Sequence, residues 1–237
     1  MGRFPNIAAS KAKTGQAKAK IYSSYAKEIY SVAKQGGTDP NGNLTLRHLI
    51  EKAKKEQVPA DVIKRAIDKV NSGVDESYTA VRYEGFASGG ATVIVDCLTD
   101  NVNRTVSLVR NAFTKSKAKM GAKGCVSHMY ENLAVVMVKD LTEDEAYEAL
   151  LMKEVDAKDI EAEDNTLTIY GDPSDLYKIK EAILDYKKDA DITYDEVTMI
   201  PDEMTTLEGE DKENFDKLLS MLDEVEDVQK VYHNVNL

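Results

Sequence analysis

Histidine and cysteine are scarce in this 237-residue chain, and each scarcity excludes a kind of chemistry. The three histidines, His48, His128 and His233, fall on separate predicted elements, so no Cys/His spacing suits zinc. Ser127 and His128 are sequence neighbours, which in a strand point to opposite faces. No serine stands in a nucleophile elbow. Gly85, Gly89 and Gly90 lack dinucleotide-binding or phosphate-loop spacing and lead into a strand, so a hairpin turn is expected there. Two cysteines are too few for a disulfide framework. Cys97 lies in an apolar strand and reads as a small core residue, and Cys125, beside Gly124, as the more accessible thiol. No apolar run approaches the roughly 20 residues that span a bilayer, and no secretory apolar segment opens the chain. The expectation is therefore a non-enzymatic cytoplasmic protein with no metal, no cofactor, no small-molecule substrate and no membrane partner.

Acid is scarce too, but only at one end. Residues 1–35 contain a single carboxylate, Glu28, in a chain of net charge −11. Residues 1–131 hold 21 Lys/Arg against 12 Asp/Glu, whereas residues 132–237 hold 10 against 30. Such asymmetry suggests a polyanion-binding end joined to an acidic body. Lys13, Lys20, Lys27 and Lys34 recur every seven residues, and at 100° per residue they form a spine opposite Ile21, Tyr25, Ile29, Val32 and Ala33. That spine is expected to face outward. Arg3 and Lys11 join it from a basic arm over residues 1–16, and Lys54 and Lys55 add charge on a second helix. A further cluster comprises Arg104 and Lys115 on one helix, then Lys117, Lys119 and Lys123 on a loop with Gly121 and Gly124. These thirteen cations are the candidate nucleic-acid contacts, because phosphate binding needs exposed positive charge. The plain alternative is a solvated lysine-rich surface, and for the 117–123 loop the two readings weigh equally.

The hydrophobic periodicity predicts helices over Ala17–Gln35, Leu44–Gln57 and from Pro59 to Val70, with Pro59 at the first helical position and short connections that make a three-helix bundle. The Gly36-Gly37 pair ends the first. Strands follow at Tyr78–Tyr83 and Ala91–Leu98, then a helix over Asn103–Lys117 and a strand over Cys125–Tyr130. Residues 133–200 read as a complete βαββαβ unit, with a capping box at Thr142 and Glu145 and a hairpin around Asp164-Asn165. A last helix and a strand over Val228–Val235 have no partner nearby in sequence. They are expected to return to the unfinished sheet of residues 78–131. The fold class is therefore α+β: a helical bundle and two ferredoxin-like α/β domains, the second inserted into the first. The expected domains are 1–77, 78–131 plus 203–237, and the inserted 132–202. The inserted part carries 20 acidic against 7 basic residues and lacks the basic, aromatic pattern of an RNA-recognition motif, so a protein partner is expected there.

The runs Gly36-Gly37-Thr38-Asp39-Pro40-Asn41, Pro59-Ala60-Asp61-Val62-Ile63-Lys64-Arg65, Arg82-Tyr83-Glu84-Gly85-Phe86 and Asp96-Cys97-Leu98-Thr99-Asp100-Asn101-Val102-Asn103-Arg104-Thr105 resemble the YebC family, in its YeeN-like branch. Gly124-Cys125-Val126-Ser127 is similar to the family's Gly-Ser-Val-Ser segment. The resemblance spans nearly the whole chain and implies three domains. It implies a function either as a DNA-binding transcriptional regulator or as a translation factor acting with the ribosome, and it leaves DNA and ribosomal RNA both open as partners. The chain departs from the family at its start, where Arg3-Phe4-Pro5-Asn6-Ile7 replaces a His-Ser-Lys-Trp-Ala-Asn-Ile opening, and at 117–123, which carries more lysine.

Overall fold

The computed structural model of the protein describes residues 15–73 and 75–236. Arg3, Lys11 and Lys13 lie outside the described residues. Three helices come first: α1 (Gly15–Gly36), α2 (Leu44–Lys55) and α3 (Ala60–Asn71). Ile29, Ala33, Leu46, Ala53, Ile63 and Ala66 close their common core. One buried side chain fixes the first corner. Asn43 caps α2 by accepting from the Leu46 amide at 3.1 Å, and its amide nitrogen donates to the carbonyls of Val32 and Gly37. Gly37 takes the left-handed conformation, φ 94°, that lets α1 stop there. Pro59 precedes α3 as its N-cap rather than opening it, one position earlier than expected.

A four-stranded antiparallel sheet follows, in the order β3-β1-β2-β9. Its strands are β1 (Thr79–Phe86), β2 (Thr92–Thr99), β3 (Lys119–Met120) and β9 (Val228–His233), with α4 (Val102–Lys115) and α7 (Gly209–Asp223) as its helices. The late strand β9 pairs with β2, Ile94 opposite Tyr232 and Asp96 opposite Lys230. Alternation along the strands sends Val93, Val95 and His233 to one face, where His233 meets the ring of Phe215 on α7. A Cβ at Gly85 would lie 2.4 Å from the Phe113 ring, so only glycine admits that close packing of α4 on β1. The opposite face carries Arg82, Glu84 and Phe86, with Lys230 and Tyr232 alongside.

The expected strand over Cys125–Tyr130 is corrected. Residues 127–129 form a single 3₁₀ turn, and the Val126 amide that a ladder would use is taken by the Glu84 carboxylate. A strand begins only at Tyr130. From there β4 (Tyr130–Lys139), α5 (Glu143–Met152), β5 (Ala157–Glu163), β6 (Thr166–Gly171), α6 (Leu176–Tyr186) and β7 (Asp191–Pro201) form a second antiparallel sheet, order β5-β6-β4-β7. That order is the ferredoxin-like one, so the α+β class holds. Both halves of the Thr142/Glu145 capping box are present. Asp164 and Asn165 turn the β5–β6 hairpin with φ of 45° and 60°, as a two-residue primed turn requires. The short β8 (Thr205–Thr206) and β10 (Val235–Asn236) complete the elements, with the Thr205 amide bonded to the Asn234 carbonyl at 2.7 Å. By compactness the chain forms two units, one of residues 127–205 with 234–236, the other of the helical bundle, the first sheet and residues 206–233. No helix among the described residues is long and apolar enough to cross a membrane.

Candidate nucleic-acid interface

Lys20 and Lys27 of the lysine spine do not face outward, and this corrects the expectation for them, whereas Lys34 is exposed but ion-paired. From Lys20 to Ala33 every residue of α1 is buried or half-buried, because the helix has two covered sides. Its apolar stripe enters the bundle core, and its lysine side meets the joint between α7 and β9. Lys20, 21% exposed, donates to the Asp223 carboxylate at 3.0 Å. Lys27, 12% exposed, donates to Asp227 at 3.0 Å. Between them Ser23 donates to Glu226 at 2.8 Å and Ser24 to the Gln229 side chain. Lys34 reaches Asp75 at 2.6 Å and the Glu76 carbonyl, 5.7 Å from the centre of the Tyr30 ring. Lys20 and Lys27 thus belong to a seam within the molecule.

Asp227 is the centre of that seam. It is buried, yet it accepts from Lys27, from the Arg104 guanidinium at 2.8 and 3.3 Å, and from the Thr105 hydroxyl at 2.8 Å. Burial alone would raise the carboxyl's pKa. The hydrogen bonds from Arg104, Lys27 and Thr105 overcome it and hold the group at about 2. Arg104 is also paired with Asp100 at 2.6 Å. Its expected place on an open cationic face of α4 is therefore corrected: the side chain turns back to close the α7–β9 joint. Lys117 is tied to Glu210, an exposed contact of little strength. A cleft of about 640 Å³ between α1, α3 and the start of α4 is lined by Lys27, Arg65, Lys69 and Arg104. Each of those cations already meets a carboxylate: Asp227, Asp61, Glu76 and Asp100.

Among the described residues, Lys54, Lys55, Lys115, Lys119 and Lys123 are exposed and make no ion pair. Lys54 and Lys55 end α2, where positive charge suits the helix terminus. The other three gather around β3. Lys115 is the last residue of α4, Lys119 opens β3, and Lys123 lies on the following loop. That loop is anchored. Buried Glu84 accepts from the Gly124 and Val126 amides, each at 2.9 Å, and the Gly121 amide donates to the Glu84 carbonyl at 2.8 Å. A Cβ at Gly121 would lie 2.5 Å from the Cys125 sulfur, so the turn needs glycine there. Burial and the Glu84 charge push the Cys125 thiol up, away from the thiolate form. Sequence reasoning missed Glu84, whose strand was expected to end at Tyr83. It also missed Asp227, which stands in an acidic run that looks like solvated surface.

The α+β chain with a helical first part, two four-stranded sheets and basic surface at one sheet edge defines a class that comparison with known proteins resolves. Residues 2–73 match the TACO1/YebC protein N-terminal domain, and residues 78–235 match the TACO1/YebC second and third domain. The chain belongs to the TACO1/YebC family. It is 50% identical to a probable transcriptional regulatory protein of Vibrio cholerae serotype O1 over the full length of both chains. A probable transcriptional regulatory protein of Shewanella oneidensis is 48% identical, covering 100% of this chain and 99% of its own. Among solved structures, a conserved hypothetical protein from Aquifex aeolicus superposes with a TM-score of 0.81 at 36% identity, covering 99% of this chain and 96% of that one.

Proposed function

We propose that the protein is a non-enzymatic regulator of gene expression that grips nucleic acid through the lysines around β3. The observation that carries this reading is the group Lys115 at the end of α4, Lys119 on β3 and Lys123 on the loop anchored by Glu84, all exposed and without an ion pair among the described residues. Lys54 and Lys55 extend the same kind of surface at the end of α2. An anchored loop presents its charges with little entropy left to lose on binding. Lys20, Lys27, Lys34 and Arg104 leave the proposed contact set, since a phosphate would have to displace an internal carboxylate to reach them. The names of the Vibrio and Shewanella relatives favour DNA as the target. Ribosomal RNA is the second reading, favoured by a glycine-containing basic loop and by the absence, among the described residues, of an exposed helix with a base-reading pattern.

The test is a binding titration at several salt concentrations, on duplex DNA and on ribosomal RNA fragments. Replacing Lys115, Lys119 and Lys123 together with Gln should flatten the salt slope by up to about 0.9 per lost phosphate contact on duplex DNA. An unchanged slope and affinity would remove this surface from the reading. A protein partner is proposed for the acidic βαββαβ unit. Tyr147, Leu151 and Met152 on α5 are 50%, 78% and 72% exposed beside Asp144 and Glu148, which suits a basic segment with an apolar face.

A further inference from the structure

On the face of the first sheet that carries Glu84, Thr92 and Ile94, all buried, Phe86 forms an exposed corner with the chemistry of a base-stacking site. Phe86 is 40% exposed at the end of β1, and a single exposed aromatic needs no special account. Its surroundings supply one. Directly across the ladder stands Lys119, whose side chain shares its face and makes no ion pair among the described residues. Two residues back on the same face is Glu84, which anchors the loop that carries Lys123. Toward the start of β1 a groove of about 490 Å³ is lined by Lys123, Lys230 and Tyr232 together with Arg82, Asp96 and Glu28. A rigid strand presenting an aromatic ring beside lysine is an arrangement on which an unpaired base stacks while phosphates meet the cation. A paired duplex keeps its base faces inside its own stack and cannot use Phe86 in this way.

We propose that this face binds single-stranded nucleic acid, with one base stacked on Phe86 and the flanking phosphates on Lys119 and Lys123. The inference rests on the nucleic-acid reading above and narrows it to unpaired segments. Phe86→Leu keeps size, apolarity and every charge while removing the π face. It should weaken binding of a twelve-nucleotide oligoadenylate roughly tenfold. The salt slope should stay unchanged, and a duplex of the same length should be held as before. Phe86→Tyr should keep the oligoadenylate affinity. Because the chain contains no tryptophan, Phe86→Trp places one reporter at the site, and oligoadenylate should quench its emission in proportion to occupancy. Equal loss of single strand and duplex in Phe86→Leu overturns the stacking, as does unquenched tryptophan at saturation. If the unaltered protein binds neither oligonucleotide, the broader reading falls with it. If it binds duplex alone, only the narrowing to unpaired segments falls.

Discussion

Asp227 sets the strongest constraint of any single residue in this molecule. Its carboxylate is buried and bound by two cations and a hydroxyl, and its carbonyl accepts from the Leu98 amide at 2.9 Å. Removing one partner of such a group strands the others, at a cost of about 3 kcal/mol. Asp227→Asn should therefore lower the melting temperature by roughly 6–12 °C at pH 7 in a chain of this size. The sign of the pH dependence follows from the carboxyl's position at about 2, below its ordinary 3.8. A depressed value contributes stability that is fully present above pH 5 and is lost as pH falls toward 2, about 2 kcal/mol in all. Denaturant titrations of both proteins across that window should show their difference shrinking as the medium is acidified. A difference that held constant down to pH 2 would mean the carboxylate is unpaired. Glu84 is a second such residue, with two amides on its side chain and no sequence mark to distinguish it from a surface strand acid. Charge in a sequence reports what a residue carries. It does not report whether the partner is water, phosphate or another part of the same chain.

The helix α1 shows how this works across an element. Its boundaries were legible, since Gly36-Gly37 ends the helix as expected, and its apolar stripe does enter the bundle core. The opposite side was misjudged, because lysines spaced seven residues apart fit an external groove and an internal seam equally well. What decides between them is Asp223 and Asp227, about 200 residues away in sequence. The same long separation explains why the ferredoxin-like strand order could be read while the seam could not. Alternation, a capping box and a two-residue turn are local signals, and an ion pair between α1 and the α7–β9 joint is not. Lys20→Gln with Lys27→Gln should accordingly act first on stability. Because Lys27 faces a buried carboxylate, the pair should lower unfolding free energy by roughly 2–4 kcal/mol. If the spine instead served phosphate, the double variant would melt near the unaltered protein and lose nucleic-acid affinity with a flatter salt slope.

At the scale of the whole molecule, charge has to be reconciled with the proposed binding. A net charge of −11 repels a polyanion at a distance, whereas the lysines around β3 attract it only on close approach. Long-range repulsion of this kind is screened beyond about 8–10 Å at physiological salt. It should therefore govern encounter at low ionic strength and leave the bound complex almost untouched. Glu154, Asp156 and Asp189 are exposed carboxylates of the acidic unit that make no ion pair among the described residues, so they can be neutralised with little structural consequence. Glu154→Gln, Asp156→Asn and Asp189→Asn together should raise the association rate for oligonucleotide severalfold at about 20 mM salt, with little change in dissociation rate. At about 300 mM the advantage should vanish. A gain that persisted at high salt, or one seen in dissociation, would mean that the acidic unit meets the nucleic acid directly. Its carboxylates would then be part of the contact surface.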